Sequence, residues 1–187
     1  MEDQTSEHLE HAEHAEHAAH AGNRFITLVS MTIALLAVIA AVIGSLESIE
    51  TAATVSERTA ATLFQNQATD QWGLYEAKSL KKNMYEIAAA NGGPNVASFA
   101  ETAKRNDDES KPIKEKATEL EKQVEEKLRS SEAHEQRLHT LTFAVTLLHV
   151  AIAIATISII TQGARWPWIG SIWLGIFGIL AAIRAYH

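Results

Sequence analysis

The chain has no cysteine. A disulfide, a thiolate nucleophile and a Cys-based zinc site are therefore excluded, and the redox character of its compartment cannot be read. A basic patch is missing too. Lys and Arg number 16 against 23 Asp and Glu, for a net charge of −7, which argues against nucleic acid as a partner. Residues 1–23 hold six acids and no Lys or Arg. With no basic segment ahead of it and too great a length for a signal core, the first apolar run reads as an uncleaved span. There is no phosphate-binding glycine loop and no nucleophile elbow. The nearest approach to a catalytic motif is His134-Glu135-Gln136-Arg137-Leu138-His139. A zincin helix needs histidines at i and i+4, and a spacing of five turns the second off the shared face. No enzymatic activity is expected.

Charge is absent from three stretches. Phe25–Ser45 and Leu141–Thr161 each run 21 residues without Asp, Glu, Lys or Arg, and Trp166–Ile183 runs 18. A bilayer core of about 30 Å takes roughly 20 mostly apolar residues as helix, so each is a candidate span. Arg24, Arg165 and Arg184 flank the runs, and Trp166, Trp168 and Tyr186 stand where interfacial aromatics stand. The expected partner of these runs is the lipid bilayer. The first run carries small residues at Ala37, Ala41 and Ser45, and at Ala40 and Gly44, a spacing that lets helices approach closely.

The expected fold is all-α. Three transmembrane helices, 24–46, 139–162 and 166–186, accompany a long extramembrane antiparallel helical hairpin, coiled-coil-like, over 47–138. Its turn is expected near 91–95, where Asn91-Gly92-Gly93-Pro94-Asn95 punctuates the chain. On the outgoing arm Leu46, Ile49, Ala53, Ala60, Leu63, Leu74, Ala77, Met84 and Ala88 fit heptad positions, with Gln67 and Asp70 among the interruptions. Asn106 to Ser110 reads as a second break, with Ser110 capping the returning helix and Pro112 in its first turn. The returning seam is Ile113, Ala117, Leu120, Val124, Leu128, Leu138, Leu141, Val145 and Leu148. Two helices bury little alone, so a homo-oligomer or a protein partner is expected to complete the core.

Residues 1–23 form a His/Glu/Ala-rich polar tail in which His8, His11, His14, His17 and His20 recur every third residue. On a helix such neighbours can share a transition-metal ion, and Glu at i,i+4 favours protonated imidazole. The tail is thus either metal-binding or pH-responsive, or a solvated low-complexity segment. No other cofactor is expected. Within the second run His149 is the one strongly ionisable side chain, on a stripe with Thr142, Thr146 and Thr156. An ionisable residue at membrane depth is by default a functional candidate, here for a proton or ion path, and otherwise a hydrogen-bonded tie between helices. Gly175 and Gly178 lie at the same depth in the third run, with space for a close helix or a water.

The central stretch holds Gln67, Asp70, Gln71, Trp72, Tyr75 and Lys78. The run Ala68-Thr69-Asp70-Gln71-Trp72, followed by Tyr75, Ala77, Lys78 and Ser79, resembles the central signature of the bacterial membrane-protein family catalogued as domain of unknown function 4337. The order of tail, single span, helical excursion and span pair resembles it as well. The resemblance implies a small multi-pass protein of the bacterial inner membrane and brings no activity with it. Gln67 and Asp70 either set register and oligomer state or form part of a binding surface. Short-segment arginines favour a cytoplasmic tail and a periplasmic hairpin by two to one, and the Lys and Arg near the second span reverse that count if admitted. The expected function is non-enzymatic: a homo-oligomeric scaffold or accessory subunit presenting the hairpin to a partner. The alternative is a proton- or metal-ion-linked channel using His149 and the histidine tail.

Overall fold

Long runs without proline favour helices that pass straight from apolar into polar sequence, and two such helices form. A computed structural model describes residues 24–161 and 165–187. The histidine tail and residues 162–164 lie outside the described residues. Three helices follow in order: α1 (Arg24–Ala90), α2 (Val96–Ile160) and α3 (Arg165–Arg184). Among the described residues there is no strand. All three helices are long and apolar enough to cross a membrane.

Residue chemistry accounts for their continuity. Hydroxyls along α1 bond back to the preceding turn, as Thr32 does to the Leu28 carbonyl at 2.9 Å and Thr69 to that of Gln65 at 2.9 Å. The hydroxyls are thereby satisfied inside the helix. α1 stops at the expected place. Gly92 (φ 78°) and Gly93 (φ 108°) occupy backbone conformations that side chains with a Cβ rarely adopt. The second expected break, at Asn106 to Ser110, does not form. Asn106 donates to the Thr102 carbonyl (2.8 Å) and Ser110 to that of Asp107 (2.7 Å), so residues that commonly open loops spend their polar groups within α2. The helix continues through Pro112.

The described chain divides into two units. One comprises residues up to Ala53 together with Ala133–His187; the other is Thr54–Glu132. The first holds the main apolar core. Val29, Ile33, Leu36, Ala40 and Ile43 of α1 are buried with Leu141, Ala144, Leu148, Ala151, Ile152 and Ala155 of α2. The i, i+3, i+4 spacing sets each group on one helix face. α3 buries a line of small residues, Ser171, Gly175, Gly178 and Ala182. A Cβ at Gly178 would stand 3.1 Å from the Ala144 carbonyl oxygen, and one at Gly175 would stand 2.6 Å from a Leu36 methyl. These glycines therefore admit a neighbouring helix and not a water. The small-residue pattern of the first run contributes only partly: Ala40 is buried, but Ala41 and Ser45 are exposed. Near the start of α3, Trp168 meets Phe25 edge to face (5.6 Å between centroids) and donates to the Thr32 hydroxyl at 3.2 Å.

The second unit packs a stretch of α1 against a stretch of α2. Partners fall in number along α2 as they rise along α1: Glu57 with Lys127 (3.1 Å), Trp72 with Glu121 (2.8 Å), Lys82 with Asp107 (2.9 Å). The inward line of α1 is Thr54, Ala61 and Ala68, spaced by seven and one position beyond the expected heptad. Leu63, Leu74 and Met84, expected inside, face outward. On α2, Ala117, Leu120 and Val124 are buried as expected, whereas Leu128 is exposed and Ser131 takes its place inside. Ser131 accepts from Arg58 Nε at 3.2 Å and lies 3.4 Å from the Thr54 carbonyl.

Glycine replacement separates contact from propensity. Gly178→Leu is expected to destabilise the first unit by about 1–3 kcal/mol, because the new side chain meets backbone. Gly170→Leu, with nothing within 4 Å of its Cβ position, is expected to be neutral or slightly stabilising. Thermal unfolding of the two variants in one detergent makes the comparison.

Candidate functional site

The strongest concentration of polar chemistry in the first unit lies just past the first apolar run. Glu47 and Glu50 are the first acids after it. Their helix phase differs. Glu50 falls on the inward face and is 5% exposed, while Glu47 sits at its edge. An ionised carboxylate at that depth needs donors, since desolvation without them is costly. Two arrive from distant parts of the chain. His134 of α2 places Nδ1 2.6 Å from Glu50 Oε2, and Tyr186, just beyond α3, donates its hydroxyl to Oε1 at 3.1 Å. Arg137 stands one turn after His134, with its guanidinium 5.8 Å from the Tyr186 ring centre. Glu47 accepts from Thr142 at 2.7 Å. One buried carboxylate therefore joins α1, α2 and the segment that follows α3.

An ionised Glu50 can only accept, so the His134 proton between them belongs on Nδ1. Nε2 is then either a lone pair or, in the imidazolium, a second N–H. This arrangement ties α1, α2 and the segment after α3 to one another. His139, the partner of His134 in the near-miss motif, is exposed. Sequence reasoning missed Glu50, Tyr186 and Arg137. The available signal was an acid next to a long charge-free run, but its partner stands 84 residues away.

The other candidate positions are distributed differently. His149 is half-buried in α2. Thr142, Thr146 and Thr156 share the same helix, and each hydroxyl lies within 3.0 Å of the carbonyl four residues back. The three hydroxyls thus bond to the backbone of their own helix, and Thr142 also reaches Glu47. The five tail histidines lie outside the described residues. Among the described residues, no group of three metal-ligating side chains converges.

In the second unit the central stretch splits by face. Trp72, Tyr75 and Lys78 turn toward α2: Trp72 donates to Glu121, Lys114 stands 5.9 Å over the Tyr75 ring, and Lys78 pairs with Glu109. Trp72 and Tyr75 meet edge to face at 5.6 Å. Gln71 is half-buried, while Gln67 and Asp70 are exposed on the opposite side. Farther along, Lys82 and Lys111 both reach Asp107, at 2.9 and 3.1 Å. The Lys82 hydrogen bond, with that of Lys111, holds the Asp107 carboxyl below its ordinary value, and Lys78 does the same for Glu109. In return, Asp107 raises Lys82, and Asp108 with Asp107 raises Lys111.

The family described as "Domain of unknown function (DUF4337)" matches residues 25–187. No curated protein and no solved structure matches the chain.

Two outcomes follow from these contacts. His134→Ala, which strips the buried Glu50 carboxylate of a donor, is expected to cost about 1–3 kcal/mol, and Tyr186→Phe about 0.5–1.5 kcal/mol. A double-mutant cycle with Glu50→Gln, read by thermal unfolding in detergent, is expected to be non-additive for His134. The ion pairs of the second unit set a pH window. Depressed carboxylates contribute fully above their ordinary values of 3.8 and 4.5, and that contribution is lost as pH falls through the lowered folded values. Raised lysines contribute below 10.5, and their part is lost as pH rises through the raised folded values. The effect is small, because these groups are solvated. Circular-dichroism melts of Lys82→Gln are expected to show a shallower acid limb than the parent chain.

Proposed function

The chain belongs to this family of unknown function, and for this member we propose a non-enzymatic role as a homo-oligomeric scaffold or accessory subunit of a membrane, presenting its helical excursion to a partner. The carrying observation is a group of uncovered apolar side chains near the end of α1. Leu80, Met84 and Ile87, three and four residues apart on one helix face, are all more than half exposed, while Leu63 and Leu74 stand exposed singly before them. Isolated apolar side chains on a surface need no explanation, but a contiguous group marks an interaction site.

In this reading Phe25–Ser45, Leu141–Thr161 and Trp166–Ile183 cross the bilayer. Their outward residues, among them Met31, Phe143, Ile160 and Trp173, face lipid. Residues between the first two spans form an antiparallel, coiled-coil-like hairpin. The membrane is the bacterial inner membrane, with the tail cytoplasmic and the hairpin periplasmic. The competing reading is a proton or metal-ion channel. It draws on half-buried His149 at membrane depth and on the tail from His8 to His20, where a transition-metal ion would bind.

Membrane insertion is tested by alkaline carbonate extraction, in which the full chain is expected to stay with the pellet. The two functions separate on His149→Leu in proteoliposomes. The scaffold reading expects unchanged assembly and no ion flux above empty vesicles for either chain. A flux in the parent chain that the variant loses while still assembling would replace it with the channel reading.

A further inference from the structure

The chain as a whole is acidic, at −7, yet positive charge gathers at one place in the second unit. Lys78, Lys81 and Tyr85 follow one another at three and four residues along α1, and so share a helix face. Arg105 and Glu109 stand one turn apart on α2. These two faces line a groove of about 680 Å³, with Met84 at its side. Lys78 pairs with Glu109 inside it. The Lys78 hydrogen bond, and after it the charges of Arg105 and Lys81, hold the Glu109 carboxyl below its ordinary value. Lys78, Lys81 and Arg105 thus share the single carboxylate of Glu109 among the lining side chains, which leaves two positive charges over. Lys81 and Arg105 are exposed, and neither forms an ion pair among the described residues. The Tyr85 ring lies 6.0 Å from that of Phe99, and its hydroxyl donates to no group among the described residues.

We propose that this groove binds a phosphate ester, with the phosphate held by Lys81, Arg105 and the Tyr85 hydroxyl and the organic part lying against Met84. Charge sets the class of ligand. A phosphomonoester carries about −1.5 to −2 at neutral pH, which matches the two positive charges left over, whereas a monocarboxylate matches only one. Donor geometry agrees. The planar Arg105 fork takes two phosphate oxygens, and the third remains for the point charge of Lys81 and the phenol of Tyr85. Size agrees as well, because the groove exceeds a bare phosphate and has room for the group esterified to it. Glu109 is the internal competitor: it already occupies Lys78 and draws on the other two cations. Every residue involved belongs to the second unit, so the inference stands apart from the scaffold and membrane-spanning readings.

The test is calorimetric titration of the full chain, in an uncharged detergent at low salt and slightly alkaline pH, with phenyl phosphate. Saturable one-to-one binding is expected. Arg105→Gln is expected to weaken it by about tenfold or more, as loss of a charged hydrogen-bonding fork does. Lys104→Gln removes an equal charge from an exposed neighbour that does not line the groove, and is expected to leave binding unchanged. Glu109→Gln is expected to tighten binding, a gain that a merely structural role for Glu109 would not produce. Succinate, a dianion without the tetrahedral oxygens, is expected to bind about tenfold more weakly or not at all. Dihexanoyl phosphatidic acid separates the two sources of the ester: tighter binding than phenyl phosphate assigns a lipid headgroup, and equal or weaker binding a soluble ester. The proposal is overturned if neither the parent chain nor Glu109→Gln binds phenyl phosphate saturably. An equal loss through Lys104→Gln, or succinate binding as tight as phenyl phosphate, overturns it too.

Discussion

The constraint on which this structure depends is the closeness of its helices. Alanine, glycine and serine occupy most of the contact positions: Ala40, Ala144, Ala151 and Ala155 in one unit, Ala61, Ala68, Ala103 and Ala117 in the other. Small side chains bring backbones together, so dispersion acts over long stretches of main chain and not only between side-chain tips. α3 carries this furthest, since Gly178 lies directly against the Ala144 backbone. Such contacts are non-directional. They define which faces meet, but they say little about how far one helix has slid along another.

Polar groups supply direction, and they do so in different ways in the two units. The first concentrates its polarity in one buried carboxylate with partners from α2 and from the segment after α3. The second distributes it over partly exposed pairs, Asp107 with Lys82 and Lys111, and Glu57 with Lys127, each individually weak. A buried hydrogen-bonded group is costly to disrupt, whereas a solvated pair exchanges readily with water. The first unit is accordingly the one whose arrangement tolerates least change at a single residue.

The span-length helices were legible because a run of about 20 residues without charge has few other physical uses. The α2 seam at Ala117, Leu120 and Val124 was legible because its apolar residues are also its buried ones. On α1 this coincidence fails. The buried line through Ala61 and Ala68 lies two residues from exposed Leu63 and Asp70, and the larger apolar side chains stand outside it. A reading by hydrophobicity therefore selects Leu63 and Met84, where the structure buries Ala61 and Ala68. The break foreseen at Asn106 to Ser110 failed for a related reason, because those polar side chains bond within the helix and to lysines of α1. Glu50 was hidden by distance in sequence. An acid reads as solvated until Tyr186 and His134 are seen beside it.

A repeat of seven has a translational ambiguity. Moving one helix by a full heptad, about 10 Å, returns small residues to small residues at little cost in packing. One heptad before Glu50 stands the apolar Ile43, and one heptad after it stands Glu57, which is already paired to Lys127. A slip that set Ile43 opposite His134 and Tyr186 would leave both without their acceptor. The buried carboxylate therefore works as an index mark, selecting one alignment from a ladder of nearly equivalent ones.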